Sequence, residues 1–220
     1  MTVKYLKSLR ESSLFVGIDE KELKKMLNCL SIREKTVEQE SFIFRAGDDV
    51  RNVYYILSGS VHIVSEDFWG NRSIIETMYS DTLFGEAYFF AETGTQLVSV
   101  IAAEDSVILE ISPDTLFEMC SKVCVCHSRL IRNVASILSR KIVRLTEKME
   151  HVIRRSIREK IISYLSQCAQ LEKKSNFTIP YSRQQLADYL CVDRSALSHE
   201  LSKLKAEGII DYQKNFFKLI

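Results

Sequence analysis

The stretch from Ser182 to Gly208, SRQQLADYLCVDRSALSHELSKLKAEG, decides how the C-terminal end of the chain folds. Ser182 stands before RQQLADYL and Asp193 before RSALSHELSKLKAE. Each brings a side-chain oxygen that can accept from the orphan N–H groups at the start of a helix. Leu186, Ala187 and Leu190 fall at i, i+1, i+4, and Leu197, Leu201 and Leu204 at i, i+4, i+7, so the spacing predicts two helices that bury one face each. Only Cys191-Val192-Asp193 lies between them. That link is too tight for an antiparallel pair and suits the sharp crossing of a helix-turn-helix, with small Ala187 letting the second helix come close. Gly208 ends the second helix at the C′ position.

The far face of the second helix carries Arg194, Ser195, Ser198, His199 and Ser202, with Lys203 and Lys205 toward its end. These are hydrogen-bonding groups of modest bulk. Arg pairs bidentately with guanine, Ser reads several bases, and the first residues of a recognition helix are the ones that reach base edges in the major groove. The pattern therefore suits a DNA-reading helix; taken alone it also suits a helical pair whose polar face is merely solvated.

Charge distribution favours the first reading. The chain has 220 residues and a net charge of +1, yet residues 152–220 hold twelve Lys+Arg against seven Asp+Glu, a net of +5, which leaves −4 on the rest. The basic end is the helix-turn-helix end, as attraction to phosphate requires. The length implies two domains. No run of about eighteen apolar residues occurs, and MTVKYLKSLRESSLF lacks a signal core, so a soluble cytoplasmic protein without membrane contact is expected. Six cysteines in a chain this long predict reduced thiols rather than a disulfide framework.

Upstream, residues 1–30 read as helical, with Asp19 capping DEKELKKMLNCL and Leu23, Met26, Leu27 and Leu30 forming a stripe. From about Ser31 the period changes. Short β-branched and aromatic runs punctuated by Gly47, Gly59, Gly70 and Gly85, followed by LVSVIAAEDSVILEIS, predict a small β-sandwich or barrel. After Pro113 helices return. From about Cys126 to His151, a seam of Ile131, Ala135, Leu138, Ile142, Leu145, Met149 and Val152 advances by alternating steps of four and three. Such a seam can face a partner chain or the chain's own barrel; its length and flanking charges, Arg140, Lys141, Arg144, Glu147 and Lys148, favour a parallel homodimer. Dimerisation would set two reading helices about one DNA turn apart on a pseudo-palindromic operator. A further helix from Ser156 leads through FTIPYS to the helix-turn-helix, and IIDYQKNFFKLI reads as two strands around Lys214-Asn215, a wing. The expected class is α+β in three parts: a β-roll with N-terminal helices over 1–125, a dimerisation helix over 126–152, and a winged helix-turn-helix over 153–220.

This order of parts, with GSV at Gly59–Val61, LFGE at Leu83–Glu86, LEIS at Leu109–Ser112 and VDRSALSHELSKLKAEGII at Val192–Ile210, resembles the Crp/Fnr family of the cyclic-AMP receptor protein and the fumarate-nitrate reduction regulator. The resemblance covers essentially the whole chain and implies a jelly-roll effector domain of the cyclic-nucleotide-binding kind, no enzymatic activity, and double-stranded DNA and RNA polymerase as partners. It places base reading on Arg194, Ser195, Ser198 and His199. Ser195 and His199 stand where the receptor has Glu and Arg, so a different half-site is expected. Ser182, Arg183 and Lys203 would hold phosphates. Cys191 stands where Gly is common in the turn, at a cost of about 1 kcal/mol if that position needs φ > 0.

The effector pocket implied by the resemblance comprises Gly85, Glu86, Tyr88, Phe89, Gln96, Leu97, Leu145 and Thr146. Gln96-Leu97 and Leu145-Thr146 replace the Arg-Ser and Thr-Ser pairs of the receptor's phosphate clamp. Losing the Arg removes a charge-assisted partner of the cyclic phosphate worth about 2–3 kcal/mol, so an effector other than cyclic AMP is expected, small and apolar or aromatic, with no obligatory cofactor. Glu86 could hold a ribose hydroxyl or simply position the fold.

Two other chemistries compete. Cys120, Cys124 and Cys126 with Cys29 invite comparison with the iron–sulfur branch of the family, as a redox- or metal-responsive regulator, but the CxxxCxC spacing matches neither common ferredoxin run. A roll-based metalloenzyme would need several converging His; only His62 lies in that region, and His127, at a helix start, reads as a cap or surface residue. No metal site is expected. A small-molecule sensor whose C-terminal unit does not bind DNA is the remaining alternative, separated from a DNA binder by its salt dependence.

Overall fold

A computed structural model describes residues 6–30, 32–49, 51–70, 72–91, 96–117 and 125–220. Cys120 and Cys124 lie outside these residues. The chain divides into two compact units, 1–138 and 139–220, and the division falls inside one long helix.

The first unit opens with α1 (Leu6–Glu11) and α2 (Glu20–Cys29). Asp19 caps α2 as expected, its carboxylate accepting from the Glu22 N–H at 2.8 Å. Among the described residues eight strands follow: β1 (Arg33–Val37), β2 (Phe42–Phe44), β3 (Val53–Ser58), β4 (Ser60–Glu66), β5 (Arg72–Tyr79), β6 (Thr82–Phe84), β7 (Ser99–Ala102) and β8 (Ser106–Ile111), with α3 (Glu86–Phe90) between β6 and β7 and α4 (Pro113–Phe117) after β8. They form two antiparallel four-stranded sheets in the orders β1-β8-β3-β6 and β2-β7-β4-β5, a β-roll. Alternation buries one face of each sheet between the two. There Val37, Ile56, Val61, Val100 and Ile108 surround an aromatic ladder in which Tyr54 stacks on Phe84 at 5.2 Å and Phe44 lies 5.6 Å from Tyr54.

Gly59 makes the β3–β4 turn at φ +87°, and a Cβ there would collide with Ser106 Oγ and the Asp105 carbonyl oxygen. This is the physical content of the GSV motif: backbone passes over backbone where only hydrogen fits.

The outer face of the first sheet packs Val53, Tyr55, Leu109 and Ile111 against Leu14, Phe15, Leu23 and Leu30 of the N-terminal segment. The long helix α5 (Val125–Val152) adds Leu130, Val134 and Ile137 to that core. This stripe runs one position out of step with the heptad seam. Further along α5, in the second unit, Ile142, Leu145 and Met149 of the seam are 64%, 58% and 62% exposed.

The second unit holds the end of α5, then α6 (Ile157–Glu172), β9 (Asn176–Thr178), α7 (Arg183–Leu190), α8 (Arg194–Ala206), β10 (Ile210–Gln213) and β11 (Phe216–Leu219). Leu186, Ala187 and Leu190 meet Leu197, Leu201 and Leu204 over Ile161, Leu165 and Phe217 in one core. Truncating any of these leucines to Ala would cost about 2–5 kcal/mol. The wing is a three-stranded antiparallel sheet, β10-β11-β9. Its third strand has no marked sequence signal, because NFT is three residues long and is held in the sheet by the Phe217–Phe177 register.

Candidate nucleic-acid interface and effector site

Both helices of the Ser182–Gly208 stretch begin where their caps predict. The Ser182 oxygen accepts from the Gln185 N–H at 3.3 Å, while the Gln185 side chain accepts from the Ser182 N–H at 2.8 Å, a reciprocal capping box. Asp193 accepts from the N–H groups of Ser195 (2.8 Å) and Ala196 (3.0 Å). The Ser195 hydroxyl also donates to this carboxylate, at 2.5 Å. These bonds, the hydroxyl's first, hold the Asp193 carboxyl below the usual carboxylate range.

The turn between the helices closes on Cys191. Its φ is +53° and ψ +55°, and the Val192 N–H reaches back to the Ala187 carbonyl at 3.0 Å while the Cys191 N–H reaches Asp188 at 3.2 Å. Cysteine thus fills a left-handed C′ position that usually belongs to glycine. The condition set by the sequence, that this position need φ > 0, is met. Gly208 and Ile209 close α8 with the same pair of bonds, to Lys205 and Leu204.

Arg194, Ser195 and His199 are exposed and Ser198 is half-buried on the outer face of α8, with Lys203 exposed further along. Ser202 instead turns to its own backbone, donating to the Ser198 carbonyl at 3.0 Å. Lys205 pairs with Asp211 at 2.6 Å and lies over the Tyr212 ring. Glu200 faces away from the reading face toward Arg158 of α6, which also pairs with Glu207.

Arg183 finds a partner that the sequence did not suggest. Its guanidinium donates to the Lys214 carbonyl oxygen at 3.1 Å and rests over the Tyr212 and Phe217 rings at 5.1 and 5.7 Å. Burial pulls its pKa below the ordinary arginine value.

At the roll, Gly85 initiates α3 at φ +80°, where a Cβ would stand 3.0 Å from the Tyr54 ring. Glu86 is buried in the first turn of α3, with Tyr88 and Phe89 half-buried after it. Gln96 is also buried, and its Oε1 has no hydrogen-bond partner among the described residues. Its neighbour Leu97 is 74% exposed. Thr146 donates to the Ile142 carbonyl along its own helix at 3.0 Å, and Leu145 is exposed.

Among the described residues no group of three or more His, Cys, Asp or Glu is placed to hold a metal ion. Cys126 is buried whereas Cys29 is exposed. His127 is buried rather than a surface or cap residue, 3.1 Å from the Thr115 carbonyl. His62 pairs with Thr77 at 3.0 Å. Among the described residues no helix is long and apolar enough to cross a membrane.

Comparison with known proteins agrees with both halves of this picture. The sequence model of the cyclic nucleotide-binding domain matches residues 34–123, and that of the Crp-like helix-turn-helix domain matches residues 159–219. The CRP-like protein Clp of Xanthomonas campestris pv. campestris is 24% identical over 173 residues, covering 76% of this chain and 75% of Clp. Among solved structures, the c-di-GMP responsive global regulator CLP of Xanthomonas campestris matches with a TM-score of 0.60 at 21% identity, over 91% of this chain and 99% of that one. CprK complexed with OCPA matches at 0.65 and 16% identity, over 90% and 91%. With the roll and the helix-turn-helix both matched, in the order that the fold displays them, the chain belongs to the Crp/Fnr family of transcription regulators.

Proposed function

We propose that the chain works as a cytoplasmic homodimer that binds a pseudo-palindromic operator and changes its DNA affinity when a small effector occupies the roll. In this reading 1–125 senses, 126–152 dimerises and 153–220 reads DNA. The observation that carries it is the face of α5 left exposed in the single chain, where Ile142, Leu145 and Met149 continue an apolar seam beyond the residues that pack on the roll. Arg194, Ser195, Ser198 and His199 read bases, Ser195 as an acceptor because its proton is given to Asp193. Ser182 and Lys203 hold phosphates. Arg183 acts indirectly, through the wing. RNA polymerase is the downstream partner, and no residue is assigned a catalytic role.

The effector is not cyclic AMP. Gln96 puts a neutral carboxamide where the phosphate clamp of the family carries a cation, and its lone oxygen calls for a ligand that donates a hydrogen bond. CLP is c-di-GMP responsive and CprK is complexed with OCPA, so rolls of this shape serve more than one ligand chemistry. An effector acts only as far as it binds one state better than the other, with Leu145 and Thr146 on α5 as the positions through which the roll's signal reaches the dimer helix.

Sedimentation of wild type and of L145E/M149E tests the dimer. Both residues are exposed, so the variant is expected to fold with a stability change within about 0.5 kcal/mol. It is expected to run as a monomer and to bind a full operator no better than a half-site. A monomeric wild type refutes the reading.

A further inference from the structure

The second unit contains a buried imidazole that DNA reading does not use. His151, in the last turn of α5, is 1% exposed. Its Nδ1 lies 2.8 Å from Ser163 Oγ and its Nε2 2.7 Å from Gln167 Oε1, both on α6. The ring meets Tyr164 edge-on at 5.7 Å and Tyr189 of α7 at 6.2 Å, and Tyr181 stacks on Tyr189 at 5.1 Å. One side chain of α5 is therefore bonded to α6 and packed on α7.

The covalent link at this point is weak by comparison. Ile153 to Ser156 join α5 to α6 outside either helix; Ile153, Arg154, Arg155 and Ser156 are all exposed, and the backbone bonds that reach back from them, Ile153 to Met149 at 3.0 Å and Arg154 to His151 at 3.3 Å, stay within the end of α5. A four-residue exposed link is a pivot. Ser163 and Gln167 stand one turn apart on α6, so two bonds to one planar ring resist both rotation of α6 and its sliding along α5. The acceptor at Gln167 assigns the Nε2–H tautomer, which leaves Nδ1 to accept from the Ser163 hydroxyl.

We propose that His151 is a positioning residue that clamps α6, and with it the α7–α8 reading pair, to the end of α5, and so fixes the half-site separation that the regulator accepts. The clamp belongs to the single chain; only its consequence for half-site separation rests on the dimer reading above. In a dimer held along α5, the place of each reading helix depends on the angle at which α6 leaves α5, and the operator's spacing reads out that angle.

Hydrogen exchange on the full chain, wild type against H151F, tests the clamp without DNA. Phenylalanine keeps a ring among the tyrosines and removes both bonds; Ser163 and Gln167 are half-buried and can turn to water, so the unit still folds. Amides of the last turn of α5 and the first turn of α6 are expected to exchange about tenfold faster, with those of α8 within about twofold of wild type. H151N, whose amide both donates and accepts, should recover part of the protection. Uniform acceleration across α6 to β11, or none, overturns the clamp. On an operator selected in vitro with the wild-type chain, a one-base-pair insertion between half-sites should cost wild type about tenfold in affinity and H151F at least about fivefold less, with the preference at each half-site unchanged. Unaltered spacing discrimination in H151F overturns the consequence for operators. If wild type is monomeric or indifferent to DNA, the dimer reading fails, and the exchange result decides the clamp on its own.

Discussion

The Arg183 guanidinium and the main-chain oxygen of Lys214 are joined by a 3.1 Å hydrogen bond, so the first residue of α7 holds the tip of the wing. Ile179 braces the same turn, its N–H donating to the Asn215 carbonyl at 2.9 Å and its own carbonyl accepting from the Asn215 amide at 3.1 Å. An arginine at a helix start facing DNA would ordinarily be assigned to phosphate. Its contacts instead use the planar fork and the flat face of the guanidinium, which lysine cannot reproduce.

Arg183→Lys therefore separates two roles. A phosphate contact would tolerate Lys, since the charge remains, whereas a wing latch would not. R183K and R183Q are both expected to weaken operator binding by about fivefold, the worth of about one hydrogen bond, with the slope of log affinity against log salt unchanged. A slope reduced by about one in R183Q alone would return the residue to the phosphates.

Cys191 offers a gain rather than a loss. Its φ of +53° strains any residue with a Cβ, and its side chain is exposed, so nothing packed is given up on removing it. C191G is expected to stabilise the 139–220 unit by about 0.5 kcal/mol, the relief of left-handed strain less the added freedom of glycine in the unfolded chain. That corresponds to a rise of a few degrees in the melting transition by calorimetry. A lower melting temperature would mean that the thiol makes a contact worth more than the strain.

The turn at Cys191 also marks what local sequence can and cannot reveal. Caps at Ser182 and Asp193, the leucine stripes and the glycine that closes α8 are all written within one or two helical turns, and each landed where its chemistry predicts. Partners far apart in sequence leave no such trace. Nothing near Arg183 announces Lys214, thirty-one residues on, and nothing near His151 announces Gln167. On α5, two apolar stripes one position apart are both present in the sequence, and only packing reveals that Leu130, Val134 and Ile137 take the roll. Strand β9 escaped because three residues carry no period of their own; pairing with β11 makes them a strand.

Asp193 gives the reading helix an acid limit. Its carboxyl is held below its ordinary value by the hydroxyl and N–H of Ser195 and by the Ala196 N–H. The ionised form is the one the fold favours, so the stabilisation is present above the unfolded-state value near 3.8 and fades as pH falls through the lowered folded-state value. Wild type should lose stability over wild-type-to-D193N difference melts as pH drops below about 4, while the gap between the two closes. A gap that stays constant down to about pH 2 would show that Asp193 caps equally well when protonated.

At the other extreme of pH, tyrosines set the limit. Burial, with the Glu110 charge beside it, pushes the Tyr54 hydroxyl up to about 12, and burial with neighbouring Tyr181 does the same for Tyr189. Burial also raises Tyr55, which donates to Asp81, and Tyr164, in the His151 cluster. In each case the fold favours the neutral phenol. The stabilisation is complete below the unfolded value near 10 and is lost as pH rises toward the raised one. Tyrosinate absorbance of the native protein at about pH 11 should therefore fall short of that of the urea-unfolded chain, because these four phenols are held neutral. The missing absorbance should appear together with the loss of helical circular dichroism, because Tyr54 sits between the sheets of the roll and Tyr164 and Tyr189 lie in the core of the second unit. Native absorbance equal to that of the unfolded chain at that pH, with the dichroism intact, would mean that these four rings open to water without unfolding, and the aromatic ladder of the roll would have to be looser than its 5.2 Å stacking implies.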